Sequence, residues 1–181
     1  MKISAACLAT MTTTLLLVTG CTGAPSTPSD ETAAVNEIDE STGASTATEV
    51  SYAVNRDEDG RALHGYDPVS YFTTGEPKAG SADFQHEWDN AVWYFETAEN
   101  RDEFAANPEK YAPENGGFCT FGVVLSKKFD GDPNVWTIYK ERLYVFLNEE
   151  VKGKFLQDQT GNIAKVKENW PQIADKDPEE L

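Results

Sequence analysis

Apolar and polar residues alternate through Phe84-Gln85-His86-Glu87-Trp88, Asp89-Asn90-Ala91 turns, and the aromatic run Val92-Trp93-Tyr94-Phe95 follows. An alternating stretch and an aromatic run on either side of a short turn predict a β-hairpin, and the aromatic residues suit a pleated surface. A second hairpin is predicted from Val135-Trp136-Thr137-Ile138-Tyr139, a turn at Lys140-Glu141-Arg142, and Leu143-Tyr144-Val145-Phe146-Leu147. After the first hairpin, Thr97 is a good N-cap for a helix through Phe104 and Ala106, with Glu99 and Asp102 near its positive end. Asn107-Pro108 then opens a shorter helix, with proline at the first helical position, and Pro113 ends it. After the second hairpin, Asn148 caps a helix through Phe155 and Leu156, and Asn162 opens another that stops before Pro171. Between the hairpins, Asn115-Gly116-Gly117 is a sharp turn. The apolar run Phe118–Leu125 that follows it fits either a strand or a buried helix. No internal repeat is visible. The pattern is α+β: two antiparallel hairpins, expected to join in one sheet, with several short helices packed against it.

The first fifty residues carry none of this patterning. All 4 Trp, 9 Phe and 7 Tyr lie beyond Ser51. Residues 1–20 read as an export signal: Lys2 supplies the positive start, and an apolar stretch ends at Leu15-Leu16-Leu17-Val18. That stretch is too short to span a bilayer. Val18-Thr19-Gly20-Cys21 resembles the bacterial lipobox, which implies cleavage before Cys21 and diacylglycerol on its sulfur. Two or three acyl chains, at about 0.8 kcal/mol per buried CH₂, anchor stably where one would not. In a Gram-negative cell, Thr22 in place of the aspartate that commonly signals inner-membrane retention implies, by resemblance, the outer membrane, facing the periplasm. Residues 21–51 are rich in Ser, Thr, Ala, Pro and acid, and bury too little to offset their ordering entropy. They read as a disordered tether, with residues 52–181 as one globular domain.

Charge narrows the partners. The formal net charge is −16, and loss of Lys2 with the signal makes it one unit more acidic. A chain so charged, without a basic cluster, is not built for nucleic acid. The 3 cysteines are Cys7, Cys21 and Cys119. With Cys7 removed and Cys21 lipidated, Cys119 is the single remaining thiol, so no disulfide can form within the mature chain.

Several segments together resemble YHS-domain proteins. Gly65-Tyr66-Asp67-Pro68-Val69-Ser70-Tyr71-Phe72 looks like the family's opening, and Trp93-Tyr94-Phe95 through Tyr111-Ala112-Pro113 continues it. Gly116-Gly117-Phe118-Cys119-Thr120-Phe121-Gly122-Val123 and Lys127–Pro133 resemble a longer, exported bacterial branch, as do Gly161–Lys165 and Asn169-Trp170-Pro171. Some members of that branch are classed as selenoproteins, which implies a selenocysteine at the position of Cys119. Shorter YHS domains are suspected metal binders through cysteines. Here Ser70, Glu96 and Asn100 stand at those positions, so a thiolate cluster for copper(I) or zinc is not implied.

Cys119 is the leading candidate for chemistry. At a helix start its thiolate would be stabilised by free backbone N–H groups, whereas among Phe118, Phe121 and Val123 it would be a small core side chain. The 2 histidines, His64 and His86, could complete a Cys-His-His site suited to copper or zinc, with Asp67 orienting an imidazole or thiol. In its Tyr-Asp-Pro-Val turn, Asp67 equally suits accepting backbone N–H bonds. Asp57-Glu58-Asp59 matches only the first half of a calcium loop and reads as a solvated turn. Three functions follow: a tethered soft-metal module centred on Cys119, a thiol redox enzyme resolved by a partner thiol, or a non-catalytic interaction domain with an inert cysteine.

Overall fold

The structure, a computed structural model, describes residues 53–181. The expected signal, the lipidation of Cys21 and the tether fall outside the described residues. The α+β class is observed. Four strands and six helices run in the order α1 (Ser70–Thr73), β1 (Ser81–Trp88), β2 (Ala91–Phe95), α2 (Ala98–Ala106), α3 (Pro108–Tyr111), α4 (Thr120–Val124), β3 (Asp132–Tyr139), β4 (Arg142–Phe146), α5 (Glu149–Gln157) and α6 (Gln159–Ile173). Among the described residues no helix is long and apolar enough to cross a membrane.

Both hairpins form, but as two separate two-stranded ribbons rather than one sheet. Each ribbon packs against the helix that follows it, β1 and β2 on α2, β3 and β4 on α5. The caps act as the sequence implies: Thr97 Oγ1 accepts from Asn100 N at 3.2 Å and Asn148 Oδ1 from Val151 N at 3.0 Å. The ambiguous run after the glycines is helix α4. The last helix starts earlier than expected. Asp158 caps it, its Oδ1 accepting from Gly161 N at 3.0 Å, which frees Asn162 to donate to Phe155 O at 2.9 Å. Pro171 sits inside α6. Its missing N–H removes one bond near the end, and Ala174 N still reaches Trp170 O at 2.9 Å.

The two halves are copies of one another, offset by 51 residues without a gap. β1, β2 and α2 start at 81, 91 and 98, and β3, β4 and α5 start at 132, 142 and 149. The pairings Ser81↔Phe95 and Asp132↔Phe146, each followed by the same register shift, are equivalent. Asn107 (φ −147°, ψ 64°) and Asp158 (φ −140°, ψ 64°) share an unusual backbone conformation. Over this span only Gly65/Gly116, Gly80/Gly131, Phe95/Phe146, Glu99/Glu150 and Phe104/Phe155 are identical. Each has a physical reason except Glu99/Glu150, which simply sits in the positive first turn of its helix. A Cβ on Gly80 would lie 2.5 Å from the Tyr94 carbonyl carbon, and one on Gly131 2.5 Å from Gly117 O and 2.7 Å from Val145 Cγ2. Gly65 and Gly116 have φ +75° and +62°. Phe104 receives Phe95 at 5.2 Å and 52°, and Phe155 receives Phe146 at 5.0 Å and 54°.

Two cores result. One gathers Trp93, Phe95 and Phe104, with Trp88 packed against it; the other gathers Tyr144, Phe146, Phe155 and Val166. They meet on β4, whose Leu143 and Val145 face the first while Tyr144 and Phe146 face the second. Tyr71 adds a second link, its hydroxyl donating to Pro133 O at 2.8 Å.

Both hairpin turns place two non-glycine residues at positive φ: Asp89 and Asn90 at 50° and 58°, Lys140 and Glu141 at 50° and 60°. Asp and Asn tolerate this; a glutamate pays roughly 1 kcal/mol. Glu141→Gly is therefore expected to raise the unfolding free energy by about 1 kcal/mol, and Asn90→Gly by less, as read by urea denaturation. Equal effects would show that the turn is not the source.

Candidate functional site

Cys119 lies in the second core at 1% exposure. It is the N-cap residue of α4, but no side-chain cap bond forms. Its backbone N–H is used by Phe129 O at 2.8 Å. His64 is elsewhere, exposed at a positive φ of 52°, with Nε2 2.8 Å from Asp130 Oδ1, which also accepts from Asn55 Nδ2 at 2.6 Å. His86 is half-buried on β1, its ring 6.1 Å from that of Phe104. The fold thus disperses the expected Cys-His-His set. Among the described residues no group of three or more His, Cys, Asp or Glu side chains is gathered to hold a metal ion. The donor set does not fit copper or zinc.

Asp67 takes the structural role. Fully buried, its carboxylate accepts from Val69 N at 2.8 Å, Glu96 N at 2.9 Å and Asn100 Nδ2 at 2.6 Å. Ser70 Oγ donates to the Asp67 carbonyl at 2.8 Å and accepts from Lys78 N at 3.2 Å. Ser70, Glu96 and Asn100 therefore converge on one residue, Ser70 through the Asp67 carbonyl and the Glu96 N–H and Asn100 amide through its carboxylate. Hydrogen bonds tie α1 to the start of α2 there. The acidic turn at Asp57 is likewise internally satisfied: Asp57 accepts from Arg61 N and Nε at 2.9 and 2.8 Å, and Asp59 pairs with Arg61 at 2.9 Å.

Lys128 is a buried cation the sequence did not single out. Its Nζ donates to Ala174 O at 2.5 Å and Lys176 O at 2.8 Å, and stands 4.9 Å and 5.5 Å from the ring centres of Phe118 and Trp170. Carbonyls at a helix C-terminus and aromatic faces both favour a positive charge. It binds the end of α6 to the core.

The concave surface lies around Arg142, whose Nε donates to Glu114 and Nη1 to the Glu109 carbonyl. A groove opens on either side, one of about 330 Å³ and one of about 500 Å³, and both include Glu114 and Arg142. The smaller contains Trp88 and Trp93, the larger Tyr139 and Tyr144. These are equivalent residues in the two repeats, so the grooves are equivalent too. In the smaller groove Asn115 Oδ1 is buried without a partner. In the larger, Tyr144 is 4% exposed and its hydroxyl bonds to no described residue. Burial, and then the charge of Glu114, raises the Tyr144 pKa above its ordinary 10, with Arg142 opposing. The phenol therefore stays protonated, able both to donate and to accept. The sequence offered no signal for either groove, because their walls come from both repeats.

No family model, curated protein or solved structure matches this chain.

Burial pushes the Lys128 ammonium down from its ordinary 10.5 to about 8, against the charges of Asp175 and Asp177. Between those two values the unfolded chain holds a proton that the folded chain has released, so stability rises with pH across that window. The unfolding free energy of the wild type is expected to climb between about pH 8 and pH 10 relative to Lys128→Met, measured by urea titration. A constant difference between the two proteins would rule this out.

Proposed function

We propose that the chain is a lipid-anchored binding module of the bacterial cell envelope, with a YHS-like fold and with Cys119 as a core residue rather than a reactive centre. The burial of Cys119 carries this reading: at 1% exposure the sulfur is reached neither by solvent nor by an imidazole, whereas the grooves beside Arg142 are open. A soft metal would need a converging ligand set, and a redox thiol would need access to its partner thiol. The interaction-domain reading needs neither. The membrane attachment rests on the lipobox-like Val18-Thr19-Gly20-Cys21 alone, and in a Gram-negative cell Thr22 favours the outer membrane.

Three measurements test this. Native protein is expected to be alkylated at Cys119 at least 100-fold more slowly than protein in denaturant, since modification must await opening of the core. Cys119→Ser should take up no less Cu(I) or Zn(II) than the wild type. Uptake of one metal ion per chain that disappears in Cys119→Ser would restore the metal-site reading. Cys21→Ser, expressed with its signal, should leave the detergent-extracted membrane fraction and become soluble. Retention at the membrane would remove the anchor.

A further inference from the structure

The offset of 51 residues maps Trp88, Asp89 and Trp93 of the smaller groove onto Tyr139, Lys140 and Tyr144 of the larger. It also maps Glu109 onto Thr160, Ala112 onto Ile163 and Gly116 onto Lys167. The shape is repeated while the charge is inverted. Acidic positions of the first groove have become a lysine and a threonine, and a glycine has become a second lysine. With Arg142, three cations face a single carboxylate, Glu114, on a chain whose net charge is −16.

We propose that the larger groove binds a small organic monoanion: a carboxylate carried on an apolar, preferably aromatic, body. The groove's volume of about 500 Å³ is in the range of small-molecule sites. Its buried wall is formed by Tyr144 and Ile163, at 4% and 8% exposure, and its open rim by Lys140 and Lys167. An apolar body would take the wall and a carboxylate the rim. The Tyr144 hydroxyl lines the groove, bonds to no described residue and is held protonated, so it can donate to an anion that reaches from the rim. Arg142 is partly committed to Glu114 and the Glu109 carbonyl, so the lysines supply most of the uncompensated charge. A multiply charged anion would meet the repulsion of the whole acidic chain, while the rim cations act over less than one Debye length, about 8 Å in physiological salt. That favours a single negative charge. The inference rests on the binding-module reading and specifies the ligand class.

The test uses the mature full-length chain with benzoate, inorganic phosphate and benzyl alcohol as probes, followed by amide chemical shifts. Benzoate should shift Lys140, Tyr144 and Lys167 saturably, with a Kd on the order of 1 mM. Phosphate and benzyl alcohol should each bind at least about fivefold more weakly, since each engages only the rim or only the wall. Lys140→Asp, which installs the charge of its counterpart Asp89, and Lys167→Gln should each weaken benzoate about tenfold. Tyr144→Phe, which keeps the packing, should weaken it severalfold without lowering the Tm. Equal binding of benzyl alcohol, or indifference to both lysine changes, overturns the anion while leaving a groove that binds. Equal binding of phosphate overturns the apolar body. If none of the three probes shifts the groove, the anion proposal falls. Loss of benzoate binding in a folded Cys119→Ser would instead count against the proposed function, because it would return Cys119 to the site.

Discussion

Strand β4 has to be buried on both faces at once, and the architecture follows from that requirement. The helices α4 and α5 cover one side, where Tyr144 and Phe146 enter the second core. Its other side gives Leu143 and Val145 to the first core. The equivalent strand of the first repeat, β2, lacks this second obligation: Ala91, Trp93 and Phe95 are buried, and Val92 and Tyr94 only partly. A strand buried on both faces reads as a continuous apolar run, and Leu143-Tyr144-Val145-Phe146 is such a run. Each repeat is too small to close a core alone. The shared strand turns two marginal units into one cooperative one. The same strand begins with Arg142 at the junction of the two grooves, so the folding requirement and the concave surface have a common origin.

The local elements were legible in the sequence because each depends on neighbours. Thr97 and Asn148 cap because a short polar side chain three residues before a free N–H satisfies it locally. The hairpins announced themselves by short β-branched and aromatic runs on either side of a polar turn. Asn162 misled for an instructive reason. It is a good capping type, but Asp158, four residues earlier, already satisfied the helix start, and the Asn162 amide was drawn to the Phe155 carbonyl instead. The single sheet failed because nothing in a strand's own pattern says whether it will pair with a neighbouring hairpin or pack on a helix.

The repeat was illegible because packing preserves shape and class rather than identity. Trp93 and Tyr144 do the same work with different side chains, as do Thr97 and Asn148, and what survives unchanged is confined largely to points of close backbone approach, positive φ and ring stacking. The candidate site was harder still. Cys119, His64 and His86 are separated by distances in sequence that carry no geometric information, and the fold sent one to a core, one to a surface contact with Asp130 and one to an aromatic edge. Asp67 was legible in kind, since a Tyr-Asp-Pro-Val turn offers its carboxylate to nearby amides. Its reach to Glu96 and Asn100, across about 30 residues of chain, was not.

The Lys128 ammonium grips the carbonyls of Ala174 and Lys176 from inside the domain. The last few residues of a domain are usually its most expendable stretch, open to exopeptidases. Here loss of the chain through Ala174 would strip two carbonyl acceptors from an enclosed cation packed against the Phe118 and Trp170 rings. The tail therefore acts as a latch, and progressive shortening should end in an abrupt loss of cohesion rather than a gradual fraying.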